Sequence, residues 1–188
     1  MKTDYKQLYR RDATTGKIII EIALNDYMEF FHEWDNAVFK KRDMHPELAE
    51  FLVECSKDIP HNEPLEVRFY LAGEEPDAQK EETIRTSYNN YYAARIYLAQ
   101  DDMKRTVIGS GALLILSLIL LFAYTLLKTR RAYAILGSVL LESLLIGGWV
   151  LTWEAFHRVA IDMIEPLGHR KTMKRLQKAT IGFRYETR

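Results

Sequence analysis

The chain has 188 residues, no net charge and 48% apolar residues. That length holds one folded domain and a small membrane part, and its single cysteine excludes a disulfide-stapled scaffold. The averages look soluble but mislead, because charge is segregated. Up to Arg105 there are 15 Lys/Arg against 21 Asp/Glu, a net of −6; from His157 onward there are 8 against 3, a net of +5. The stretch between carries only Lys128, Arg130, Arg131, Glu142 and Glu154.

Residues 1–16 read as a polar N-terminal arm with no signal-peptide pattern. Lys17 to Leu24, KIIIEIAL, predicts a buried strand. Asp26 and Glu29 form a capping signal, and Tyr27, Phe30, Phe31, Trp34 and Val38 follow at helical spacing. Asp35, Arg42 and Asp43 read as a polar corner or the rim of a binding site. Pro46 suits the first turn of a helix carrying Leu48, Phe51, Leu52, Cys55 and Ile59, with Cys55 a buried, reduced thiol. Leu65 to Leu71, LEVRFYL, alternates as a second strand. Together 17–77 predict a small α/β domain.

From Ala78 no breaker interrupts the helical pattern, so a stalk helix over 78–105 is expected to run directly into a first span. Its tyrosines Tyr88, Tyr91, Tyr92 and Tyr97 are expected to pack on the strand domain. Residues 106–127 and 132–153 are two segments of 22 residues; the first has no charge and the second only Glu142. Such a helix covers about 33 Å against a bilayer core of about 30 Å. The link 128–131 is so short that the spans must be antiparallel neighbours. Helical pattern continues to Ile164, Pro166 and Gly168 are expected to break it, and 154–178 form basic juxtamembrane helices. Residues 179–188 close with TIGFRYE, a strand expected to return to the sheet. The fold class is α+β: a cytoplasmic sheet-and-helix domain, a stalk helix and a two-helix hairpin. Charge bias and the lack of an export signal place both termini in the cytoplasm, leaving the basic turn outside.

The run from Glu21 to Pro60, with LEVRFYL after it, resembles the cytoplasmic portion of a family of uncharacterised bacterial membrane proteins. ESLLIGGWVLTWEAF, the basic stretch after it and the closing GFRY resemble the same family. Trp34, Asp35, Arg42, Asp43, Pro46, Glu142, Gly147, Gly148, Trp149, Trp153 and Glu154 match its pattern. The resemblance implies two spans and a bacterial inner membrane, and no reaction. The order of domain, stalk, span, loop, span and basic tail is similar in architecture to the cobalt/magnesium channel family, whose G-M-N loop is absent here. Asp162 to Pro166 resembles the D-x-x-E-P motif of the mitochondrial calcium uniporter, but it follows the second span, so a helix end at Pro166 is expected.

Glu142 is the leading candidate for function. A lone acid about ten residues into a span costs about 2.5–3.5 kcal/mol. It either lines an ion path or forms a polar clasp with Ser138, Ser110, Ser117 or another subunit. Gly147 and Gly148, and Gly109 with Gly111, predict close helix packing between two patches at similar depth. Trp149 and Trp153 read as an interfacial belt, and Glu154 with His157 as a surface pair at the boundary. Arg170, Lys171, Lys174, Arg175 and Lys178 are expected to meet anionic lipid headgroups rather than nucleic acid. No metal spacing, cofactor motif or catalytic constellation is present, so the expectation is a homo-oligomeric membrane scaffold without catalysis. The alternative is an oligomeric channel or transporter using Glu142.

Overall fold

The computed structural model describes residues 5–31, 43–72, 74–129 and 135–186. The chain divides into two compact units, Met1–Tyr97 with His169–Arg188, and Leu98–Gly168. The class is α+β, with one four-stranded sheet and long helices.

The first unit is built on strands β1 (Arg10–Arg11), β2 (Ile18–Leu24), β3 (Leu65–Ala72) and β4 (Thr180–Glu186), in spatial order β1-β2-β3-β4. β1 pairs antiparallel with β2; β2, β3 and β4 are parallel. A four-residue helix α1 (Tyr5–Leu8) precedes them. Between β1 and β2, Gly16 has φ +70°, the left-handed region that favours glycine. The Asp12 carboxylate accepts from the Thr14 and Thr15 backbone N–H groups in the same turn.

The sheet buries Ile18, Ile20, Ile22, Leu65, Val67, Phe69 and Leu71. Phe69 is fully buried at 0% exposure and sits between two rings, edge-on to Phe30 at 5.6 Å and stacked on Phe183 at 5.7 Å. Helix α2 (Pro46–Asp58) has Pro46 in its first turn, where a missing N–H costs nothing. It turns Ala49, Leu52, Val53, Cys55 and Ser56 inward. The expected face is thus rotated, because Phe51 is exposed.

Helix α3 (Ala78–Lys128) is continuous over 51 residues. In the first unit it buries Ile84, Tyr88, Tyr92 and Ile96, and Tyr91 packs against this core. Tyr97, also expected to pack there, is exposed. The Tyr185 hydroxyl donates to Glu81 of α3 and lies 2.7 Å from the Tyr27 hydroxyl. Burial first, then the Glu81 hydrogen bond, hold the Tyr185 hydroxyl well above the usual tyrosine value.

Three expectations are corrected. Asp26 does cap, accepting from the Met28 and Glu29 N–H groups, but it opens only a 3-10 turn over Tyr27–Phe30, after which Phe31 is extended. The rest of the helix expected through Val38 lies outside the described residues. Pro166 does not end a helix. Helix α4 (Ile135–Ala160) stops at a turn over 161–163, and α5 (Ile164–Gln177) carries Pro166 in its first turn and Gly168 inside it. A proline is tolerated there because the first helical N–H groups lack intrahelical acceptors.

α3 and α4 are each long and apolar enough to cross a membrane, and only 11% of each apolar window is buried within the chain. Core helices of soluble proteins are mostly buried. Phe69→Ala, a deletion at the centre of the sheet, is expected to cost about 3–5 kcal/mol. Chemical denaturation of the detergent-solubilised chain measures it, and a loss below about 1 kcal/mol contradicts this placement.

Candidate functional site

Within the second unit α3 and α4 touch at small residues. A Cβ on Gly148 would stand 2.8 Å from the Leu121 side chain and 3.3 Å from the Ser117 carbonyl oxygen, so only glycine permits this approach. One turn on, the Ser117 and Thr152 hydroxyls lie 2.8 Å apart. Each hydroxyl also lies within hydrogen-bond distance of a carbonyl of its own helix, Ser117 of Leu114 and Thr152 of Gly148, so one proton is donated across the pair and the other within its helix. Thr152 escaped the sequence reading, although a threonine among apolar residues was the available signal.

Ser117 faces Thr152 while Leu121 faces Gly148, so numbers rise along one helix as they fall along the other. That register puts Glu142 level with Leu127 and Lys128, at the end of α3. It stands about 15 Å in depth from Ser117 and about 25 Å from Ser110. A clasp between Glu142 and either serine of the same chain is therefore excluded. Ser138 lies one turn before Glu142 on α4. Glu142 is exposed, and its carboxylate lies within electrostatic reach of the Lys128 ammonium. That ammonium also sits 5.3 Å from the centroid of the Tyr124 ring.

The same register separates the two glycine patches, which were expected to meet. Gly147 and Gly148 face Leu120 and Leu121, whereas a Cβ on Gly109 or Gly111 would meet nothing within 4 Å. Between them Ser110 is 3% exposed, and its hydroxyl has no hydrogen-bond partner among the described residues.

At the far end of α4, Trp149 and Trp153 are 66% and 58% exposed. Glu154 and His157 do not form the expected pair. Glu154 accepts from Arg158 at 2.7 Å, and His157 Nδ1 lies 3.4 Å from the Asp162 carboxylate. A helical i,i+4 partner is nearer for Glu154 than His157 at i+3, and the turn after α4 brings Asp162 back to His157. Of the polar corner, Asp35 and Arg42 lie outside the described residues; Asp43 is exposed beside the Met44–Phe31 bridge.

The basic helix divides into two kinds of residue. Arg175 does not reach outward for headgroups. Its guanidinium donates to the carbonyls of Ser56 and Ile59 at 2.8 Å, Pro60 at 2.7 Å and Glu63 at 2.9 Å. It thereby supplies donors to carbonyls at the C-terminal end of α2 and in the turn that follows it. Burial lowers its pKa from the ordinary arginine value. Arg170 is half-buried, while Lys171, Lys174 and Lys178 are exposed.

Two substitutions separate clasp from headgroup contact. Arg175→Met is expected to destabilise the first unit by about 3 kcal/mol, leaving buried carbonyls unpaired. Arg175→Lys is expected to recover less than half of that, since an ammonium cannot serve four carbonyls in a planar fork. Denaturation midpoints check both, and full recovery by lysine contradicts the clasp.

No family model, curated protein or solved structure matches the chain.

Proposed function

We propose that this chain is a two-span protein of a bacterial cytoplasmic membrane and serves there as a homo-oligomeric, non-catalytic scaffold. The carrying observation is the exposed apolar surface of α3 and α4, including Ile108, Ile115, Phe122, Leu140, Ile146 and Val150. An aqueous protein does not leave so extended an apolar surface bare. The antiparallel contacts of Ser117 with Thr152 and Leu121 with Gly148 support a tight hairpin. Both flanks of that hairpin contribute to one sheet, which favours an even number of crossings and both termini on one side.

Self-association is supported by two features of the outer surface. Gly109 and Gly111 offer small, open positions that the intrachain packing leaves unused. Glu142 is turned outward among apolar side chains, where a charge calls for a partner beyond lipid. A second subunit meets both needs. The same outward acid favours a second reading, a channel or transporter with Glu142 between subunits on the permeation path.

In native membranes, oxidative cross-linking of an Ile108→Cys variant is expected to give dimers or larger species. Gly109→Leu combined with Gly111→Leu is expected to reduce the cross-linked fraction several-fold. A strictly monomeric protein overturns the scaffold reading. Flux into proteoliposomes distinguishes the second reading: it requires cation or proton flux that falls at least tenfold in Glu142→Gln, and no flux in either protein removes it.

A further inference from the structure

Helix α5 is two-sided. Thr172, Met173 and Leu176 are buried, at 3%, 5% and 0% exposure, and Arg175 is tied to four carbonyls of the α2 end and the turn after it. The Leu176 carbonyl accepts from the buried Tyr88 hydroxyl at 2.9 Å. These contacts fix the rotation of the helix about its own axis. At 3.6 residues per turn, Lys171, Lys174 and Lys178 fall within an arc of about 60°. That arc lies roughly opposite the centre of the buried face, and the three span about 10 Å along the axis.

All three lysines are exposed, and none makes an ion pair with a described residue. Several other cations of this chain are matched: Arg68 to Glu66 and Asp12, Lys80 to Glu74, Arg85 to Glu81, and Arg158 to Glu154. The one acid of α5, Glu165, falls on another side of the helix. A stripe of exposed, unmatched lysines on one helix face suits anionic headgroups at a bilayer surface.

We propose that Lys171, Lys174 and Lys178 form a binding stripe for the phosphate-bearing headgroups of anionic lipids. The inference rests on the membrane-spanning reading above, and it assigns the lipid partner and the residues that meet it. The two arginines are excluded from that role: Arg175 is consumed by the α2 carbonyls, and Arg170 is half-buried with a buried Nε. The contact is a point-charge one, suited to ammonium groups on flexible stems, and screened by salt.

The test uses the full chain, purified in mild detergent and offered equal amounts of phosphatidylglycerol and phosphatidylcholine. Retained lipids are counted by native mass spectrometry. The wild-type chain is expected to enrich phosphatidylglycerol. K171Q/K174Q/K178Q is expected to lose about tenfold or more of that enrichment, with an unchanged melting temperature, because these side chains are exposed and make no ion pair with a described residue. K171R/K174R/K178R is expected to keep it. Equal enrichment in wild type and the glutamine variant overturns the proposal, as does loss of enrichment in the arginine variant. Alkaline carbonate extraction separates this failure from that of the underlying reading. A chain that leaves the membrane sinks the span assignment, whereas one that stays without lipid preference sinks only the stripe.

Discussion

The pairing of β4 with β3 is the constraint on which the rest of the molecule depends. Parallel strands cannot be joined by a hairpin and need a crossover connection. Here that crossover comprises α3, α4 and α5, and it includes the entire second unit. The second unit is therefore an insertion, entered and left from one sheet. Closing so long a connection costs little more entropy than closing a short one, because the cost grows only logarithmically with length. The closure is held by specific contacts: Phe183 stacked on Phe69, the Tyr88 hydroxyl on the Leu176 carbonyl, and Arg175 across the end of α2.

Charge in the first unit follows from the same sheet. Arg68 on β3 lies between Glu66 on its own strand and Asp12 in the β1–β2 turn. Glu66 is nearly buried, and its carboxylate occupies room that a side chain at residue 182 of β4 would fill: a Cβ there would stand 3.0 Å from Oε1. Gly182 thus lets an ion pair persist where β4 closes over it. The Thr15 backbone N–H first, and Arg68 next, hold the Asp12 carboxyl well below the usual carboxylate range. Its stabilising share is present above the ordinary carboxylate pKa and is lost only as acid reaches the depressed value.

Elements with a strong period were legible from sequence. The β-branched run of β2, the alternation of β3 and the unbroken helical pattern of α3 each have one reading, and the structure carries elements at those places. The two residues of β1 carry no pattern at all; their strand state comes from the Gly16 turn and from β2 beside them. Pro166 misled because the same residue ends one helix or begins another, and only the turn at 161–163 decides. Arg175 misled for a different reason. Composition places a basic run at a surface, but a guanidinium with five donors also serves a helix end whose carbonyls have no partner. Nothing local to α5 announces that the end of α2 is its neighbour.

Helix register was the least legible feature and matters most for the site. Both long apolar helices contain small residues at several levels, and sequence alone pairs any patch with any other. The pairing of Ser117 with Thr152 selects one alignment, because a hydroxyl pair in an apolar setting is stronger than a glycine contact alone. With that alignment α4 begins well beyond the level at which α3 ends. An acid that looked buried ten residues into a span then lies level with Lys128, at a helix end and within electrostatic reach of its ammonium. The cost of such an acid falls steeply as it approaches an interface, where snorkelling, water and a nearby ammonium all favour the charged form. Retaining Glu142 no longer demands a transport role. What it calls for is a polar neighbour, and the Lys128 ammonium, within electrostatic reach, supplies one inside the chain.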